Sequence, residues 1–328
     1  MSAEITDHLQ HVSAEVAEET CVFNARLEDT LRTLPPVTVV PAPRVRAARR
    51  LGKGTFPAPV FLPDLHDLEV PGRAGPVKLR VARPTRDMTP RGVYLHIHGG
   101  GWMLGASDLQ DPALAELATA VGVVVVSVDY RLAPEHPFPA AIDDCEDAAR
   151  WLVERGAEML GAPARFSIGG ESAGAHLAVL TLLRLRDHRP GSAFIAANLV
   201  FGAFDLSLTP SARDWGDRNL VLSTPIIEHF VSSFLPGRSA EELRAPELSP
   251  LYADLRDLPP ALFTVGTLDP LLDDSVRMAA RWHAAGGSRE LRIWPEGVHG
   301  FTAFPISLAR LADAAQFTFL DRIYAASR

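Results

Sequence analysis

Residues 170–174 read Gly-Glu-Ser-Ala-Gly, with the apolar run Phe166-Ser167-Ile168 before them and a helix-spaced run after them. A serine at a tight strand-to-helix turn is held in a strained, exposed conformation, its hydroxyl lifted clear of neighbouring side chains. The flanking glycines are needed because a Cβ at either place would meet the adjacent strand or helix. The motif therefore calls for a chain in which strands alternate with helices, and the rest of the sequence has that pattern. Short strands are predicted at 66–70 and 77–83, separated by the turn Pro71-Gly72-Arg73-Ala74-Gly75. Further strands are predicted at 93–97, 123–128, 165–169, 194–201, 261–265 and 290–294. Helices are predicted at 112–121, 139–155, 173–187, 273–285 and 306–325. This alternation implies right-handed crossovers and an α/β fold, a mostly parallel eight-stranded sheet covered by helices on both faces.

Two stretches stand outside the alternation. Ile5, Leu9, Val12, Val16, Leu27 and Leu31 recur at roughly helical spacing over 4–33, ended by Pro35-Pro36, and a Pro-rich connector over 35–63 follows. Some sixty residues then separate the strand ending near Phe201 from that beginning at Ala261, too many for a structureless loop in a compact domain. The expected organisation is an N-terminal helical cap segment (1–55), the first part of the core (56–206), inserted cap helices (207–250) and the second part of the core (251–328).

Composition narrows the function. In 328 residues the formal net charge is -8, and no basic block could neutralise a run of phosphates, which argues against a nucleic-acid partner. The one basic cluster, Arg44, Arg46, Arg49, Arg50 and Lys53, reads as a solvated helix face. Two cysteines, Cys21 and Cys145, are too few for a disulfide framework and lack metal-ligand spacing. The N-terminus MSAEITDHLQ has no apolar core of a signal peptide, and no apolar run spans a bilayer, so stable membrane insertion is not expected and a cytoplasmic location is.

The chemistry gathers around Ser172. A serine hydroxyl is a poor nucleophile unless a base removes its proton. His299, just past the last strand in Glu296-Gly297-Val298-His299-Gly300-Phe301, suits that role among 11 histidines. Its rival His176 lies one helical turn after Ser172 and should point behind the turn. Asp269, in Gly266-Thr267-Leu268-Asp269-Pro270 after the strand at 261–265, would hold the imidazole in its tautomer. Asp205 on the preceding connection is the rival acid, and Asp273 and Asp274 read as cap and first-turn residues of the next helix. Gly99, Gly100 and Gly101 follow the strand at 93–97. Their backbone N–H groups, with that of Ala173, would make an oxyanion hole. A phosphate-cradling loop would need a different glycine spacing.

With these pieces placed, the chain resembles the hormone-sensitive lipase family of α/β-hydrolases, the bacterial family IV esterases. The matching blocks are HGGGW at 98–102, DYRLAPEHPFPAA at 129–141, GESAGA at 170–175, SPL at 249–251, GTLDPLLDD at 266–274 and EGVHGF at 296–301. The resemblance implies a catalytic triad of Ser172, Asp269 and His299. It also implies oxyanion donors Gly100, Gly101 and Ala173, a helical cap and, frequently, a homodimer. Glu171 and Ala175 depart from the Asp and Gly often found there, but keep the charge and the small size. The expected activity is hydrolysis of short- to medium-chain carboxylic esters with no metal or cofactor. Trp102, Trp215, Phe230 and Phe234 are candidates for the pocket wall. An amidase, formamidase or sugar deacetylase with the same triad, and a non-catalytic small-molecule receptor, are the competing classes.

Overall fold

The computed structural model describes residue 6, residues 8–188 and residues 193–326. The N-terminal helix α1 spans Ala14–Thr33, its first turn capped by Ser13, whose hydroxyl accepts the Val16 N–H at 3.3 Å. It starts ten residues later than periodicity suggested, because Leu9 and Gln10 are drawn into a strand-like contact; Ile5 lies outside the described residues. A second helix, α2 (Ala42–Arg50), sits inside the stretch expected to be connector, with Pro43 in its first turn.

Strands β1 (His66–Val70), β2 (Val77–Ala82) and β3 (Val93–Ile97) come next, then α3 (Asp111–Val121) and β4 (Val124–Asp129). Helix α4 (Ala140–Trp151) continues through a wide turn at Leu152–Gly156, and β5 (Phe166–Glu171), α5 (Ala173–His188) and β6 (Phe194–Val200) follow. The 207–250 stretch carries α6 (Pro210–Asp214) and α7 (Thr224–Phe234), after which come β7 (Ala261–Leu268), α8 (Leu272–Ala284), β8 (Arg289–Val298) and α9 (Ser307–Ala326).

The eight strands form one sheet in the order β1-β2-β4-β3-β5-β6-β7-β8. β2 pairs antiparallel with β1 and with β4, and every later pairing is parallel. Val124, Val125, Val126 and Val128 are fully buried, as a central strand covered on both faces requires. β5 therefore ends in the middle of the sheet's carboxyl edge, beside β3, with β7 and β8 to the other side. Ligand clefts of open parallel sheets form at that edge.

On the outer side of β8, Leu9 forms a parallel bridge with Ile293, the Gln10 N–H donates to the Ile293 carbonyl at 2.8 Å, and Arg292 donates to the Gln10 side chain at 3.0 Å. Helix α1 joins the inserted segment through an Arg218–Glu28 ion pair at 3.0 Å. The basic cluster is solvated only in part: Arg44 and Lys53 are exposed, while the other three members have partners. Arg46 donates to the carbonyls of Met103 (2.8 Å) and Ala133 and pairs with Glu135. Arg50 pairs with Asp108 at 2.9 Å, and Arg49 donates to the Pro57 carbonyl at 3.0 Å. A helix with little apolar surface is docked here by guanidinium forks onto the loops that follow β3 and β4.

Candidate active site

Ser172 takes a left-handed backbone conformation, φ 57°, that a residue with a Cβ adopts only under strain. The turn is held by the Ser172 N–H donating to the Val200 carbonyl at 2.9 Å. Its tightness explains the glycines: a Cβ at Gly170 or at Gly174 would collide with the Ile97 carbonyl oxygen. β3 and the start of α5 are that close.

The Ser172 hydroxyl lies 2.9 Å from Nε2 of His299. On the far side of the ring, Nδ1 lies 2.9 and 3.1 Å from the two carboxylate oxygens of Asp269. A carboxylate only accepts, so Nδ1 carries the hydrogen and Nε2 is left to receive the serine proton. Asp269 is fixed in turn by the Leu271 N–H at 2.8 Å, and both Asp269 and His299 are buried. Three residues from the ends of three different strands thus form one unbroken chain of hydrogen bonds.

The rivals are engaged elsewhere. Asp205 accepts from the Tyr252 hydroxyl at 2.8 Å and from the Ser207 N–H and hydroxyl at 2.9 and 2.6 Å. His176 accepts from the Trp102 indole N–H at 3.1 Å and so donates through Nε2 to the Leu248 carbonyl at 2.7 Å. Burial pushes its pKa down to about 4, against the pull of that carbonyl, so it stays neutral and bolts the helix after Ser172 to the end of the 207–250 stretch. Asp274 sits in the first turn of α8, as expected. It is fully buried, its Oδ1 accepts the Phe204 and Asp205 N–H groups at 2.7 and 2.9 Å, and the Thr209 hydroxyl donates to Oδ2 at 2.6 Å. Burial pushes its carboxyl up to about 7, with Asp205 adding to the rise while these hydrogen bonds oppose it.

The glycine run turns sharply after β3. Gly100 has φ 117°, and a Cβ on Gly101 would collide with the ring of Phe230. His98 buttresses the loop: its ring stacks on Tyr130 at 4.2 Å, and the Tyr130 hydroxyl donates to the His98 carbonyl at 2.8 Å. Helix α5 starts at Ala173, whose N–H is one of the first-turn donors with no partner inside the helix. The loop lies against the Ser172 turn, since a Cβ on Gly99 would fall 3.5 Å from the Ser172 Cβ.

Of the candidate wall residues, half-buried Phe230 lies directly against Gly101. Trp102 and Phe234 are core residues instead. Their rings stack at 4.8 Å, Phe138 meets Phe234 edge-on at 5.8 Å, and the Phe138 N–H donates to the Phe234 carbonyl at 3.0 Å. They seat α7 on the site rather than lining it. Half-buried Trp215 donates its indole N–H to the Arg218 carbonyl at 2.7 Å, within the 207–250 stretch.

Sequence reasoning missed the residues that hold the histidine loop. Phe201 packs its ring 4.9 Å from the His299 ring. The Asn24 amide of α1 donates to the Glu296 carbonyl at 2.8 Å, and the Glu296 N–H donates to the Thr267 hydroxyl at 2.9 Å. No local signal marks Asn24, because its partner lies far along the chain.

A family model described as the alpha/beta hydrolase fold matches residues 94–303. A carboxylesterase of Mycobacterium tuberculosis is 37% identical over 287 residues, covering 85% of this chain and 89% of its own. The chain belongs to the hormone-sensitive lipase family of α/β-hydrolases. An ethyl acetate hydrolase of Pseudomonas putida is 35% identical to this α/β-hydrolase over 243 residues, 72% of this chain and 75% of its own. Among solved structures, a hyperthermophilic esterase of the archaeon Pyrobaculum calidifontis superposes with a TM-score of 0.82 at 28% identity, covering 92% of this chain and 97% of that one. Among the described residues, no helix is long and apolar enough to cross a membrane.

Proposed function

We propose that this α/β-hydrolase cleaves short- to medium-chain carboxylic esters by way of a serine acyl-enzyme. The broader part of that statement, a serine carboxylic-ester hydrolase, accords with its family and with the names of its relatives. The finer part rests above all on one observation, the unbroken chain from Ser172 through His299 to Asp269.

In this reading the Ser172 oxygen attacks the ester carbonyl as Nε2 of His299 takes its proton. Asp269 keeps the ring in the required tautomer and stabilises the imidazolium. The N–H groups of Gly100, Gly101 and Ala173 receive the carbonyl oxygen as it becomes an oxyanion; one such donor is worth about 3 kcal/mol in the transition state. His299 returns its proton to the departing alcohol, then draws one from a water that attacks the acyl-enzyme and passes it to the Ser172 oxygen as the Ser172–acyl bond breaks and the acid leaves. Phe230, close over Gly101, supports a preference for small acyl groups.

Hydrolysis of p-nitrophenyl esters from acetyl to palmitoyl by wild type and Ser172→Ala tests the proposal. A serine-dependent rate that peaks at short chains supports it. Full activity without Ser172, or a folded wild type active only on amides, overturns it.

A further inference from the structure

Behind the nucleophile runs a second chain of serine, histidine and acid that the reaction does not use. Nε2 of His96 lies 3.1 and 3.2 Å from the two carboxylate oxygens of Glu171, and Nδ1 lies 2.8 Å from the Ser127 hydroxyl oxygen. The carboxylate only accepts, so Nε2–H donates to Glu171. His96 and Ser127 are buried, and Glu171 is one-quarter exposed. Burial raises the Glu171 carboxyl, but the attraction and hydrogen bond of His96, with help from His98 and a Gln110 hydrogen bond, outweigh it and hold the group below the ordinary carboxylate range. The chain crosses three neighbouring central strands, since His96 on β3 sits opposite Ser127 on β4 and Glu171 ends β5.

Its position is what matters. Backbone pairing between β3 and β5 ends at Ile97 and Gly170. Beyond that point β3 runs into the glycine loop carrying Gly100 and Gly101, and β5 runs into Ser172 and Ala173. The two halves of the proposed oxyanion hole are therefore delivered by strands whose ladder has just stopped. The His96–Glu171 bond ties them together at that end. The glycine loop also packs closely here, since a Cβ on Gly99 would come within 2.7 Å of the Glu171 carbonyl oxygen.

We infer that His96 and Glu171 are positioning residues, a side-chain crosslink between β3 and β5 that sets the spacing between the Gly100/Gly101 and Ala173 donors, with Ser127 orienting the His96 ring. The inference rests on the proposed ester hydrolysis. Donor spacing matters where charge develops on the substrate oxygen, so the link bears on the transition state more than on substrate binding.

The test compares wild type, Glu171→Ala, His96→Leu and Glu171→Gln, using kcat and KM for p-nitrophenyl acetate and the inhibition constant of a trifluoromethyl ketone, whose serine adduct places an oxyanion in the hole. Breaking the link in Glu171→Ala or His96→Leu is expected to lower kcat about tenfold and weaken the ketone by a similar factor, with KM within about twofold. Glu171→Gln, which still accepts the Nε2–H, is expected to recover most of the loss. Glu171→Ala that folds and keeps kcat and ketone affinity within twofold of wild type overturns the inference, as does a Gln variant as impaired as Ala. Should Glu171→Ala not fold, His96→Leu decides by the same thresholds. A wild type without esterase activity overturns the functional reading, and this inference with it; an active wild type with indifferent variants overturns the inference alone.

Discussion

The Asn24 side-chain amide donates to the Glu296 carbonyl at 2.8 Å, so the N-terminal helix grips the loop that presents His299 across 272 residues of chain. The other end of the same N-terminal region reaches the opposite wall of the cleft, where Arg46 holds the Met103 carbonyl just past the glycine loop. One segment thus bonds both to the loop before His299 and to the turn after the glycine run.

Replacing Asn24 by Ala removes one buried donor and leaves a carbonyl short of a partner, a cost of about 1 kcal/mol. The expected result is a fall in melting temperature of about 2 °C and a drop in kcat of about threefold as the imidazole loses its fixed position. Thermal unfolding and p-nitrophenyl acetate kinetics check this; an unchanged kcat would confine Asn24 to a structural role.

Asp269 and Asp205 separate cleanly by mutation. Asp269→Asn leaves Nδ1 facing a side-chain amide and is expected to cut kcat by on the order of 10⁴. Asp205→Asn disturbs the contacts with Tyr252 and Ser207 and relieves the charge beside Asp274, and is expected to cost less than about threefold in kcat. The reverse ranking would move the acid to Asp205.

Phe230 and Gly101 are in contact, so their mutations should couple. Gly101→Ala drives a methyl into the Phe230 ring and is expected to reduce kcat by about 100-fold. Adding Phe230→Ala removes the steric part of that loss and leaves the part due to the positive φ of 59°. Alone, Phe230→Ala is expected to shift the preferred p-nitrophenyl ester to longer acyl chains. Additive losses and an unmoved chain preference would place Phe230 outside the pocket.

Asp274 should give stability a pH dependence. Its folded carboxyl is raised to about 7 from an ordinary value of 3.8. Between those values the native state binds a proton that the unfolded chain releases, so stability is fully present at low pH and falls as pH rises through about 7. Asp274→Asn can still accept both backbone N–H groups on its oxygen and donate to Thr209. It is expected to match wild type only below pH 3.8, to melt higher already near pH 5, and to exceed wild type by several degrees near pH 8. Melting curves that stay parallel across that range would refute the assignment.

The sheet and the nucleophile turn were legible because their causes are local. Continuous apolar runs such as Val123–Val126 need burial on both faces, and glycines at 170 and 174 are the only residues that fit against Ile97. For helix α2 the basic face was legible but the docking was not. Its sequence, APRVRAARR, has no apolar stripe, and what holds it is arginines reaching carbonyls of other loops. Asp274 was legible as a first-turn residue, but its burial was not, because only the tertiary approach of the 204–209 loop encloses it. Trp102 and Phe234 looked like pocket aromatics, but their mutual stacking and the His176 hydrogen bond belong to the core.

The parallel bridge of Leu9 to Ile293 has a consequence for how copies of this protein meet. A ten-residue outer strand such as β8 is otherwise a template on which a second chain could extend the sheet. With the Ile293 carbonyl already taken by Gln10 and Arg292 turned to the Gln10 side chain, that template is partly filled from within the molecule. Self-association by sheet extension would first have to peel residues 8–10 away.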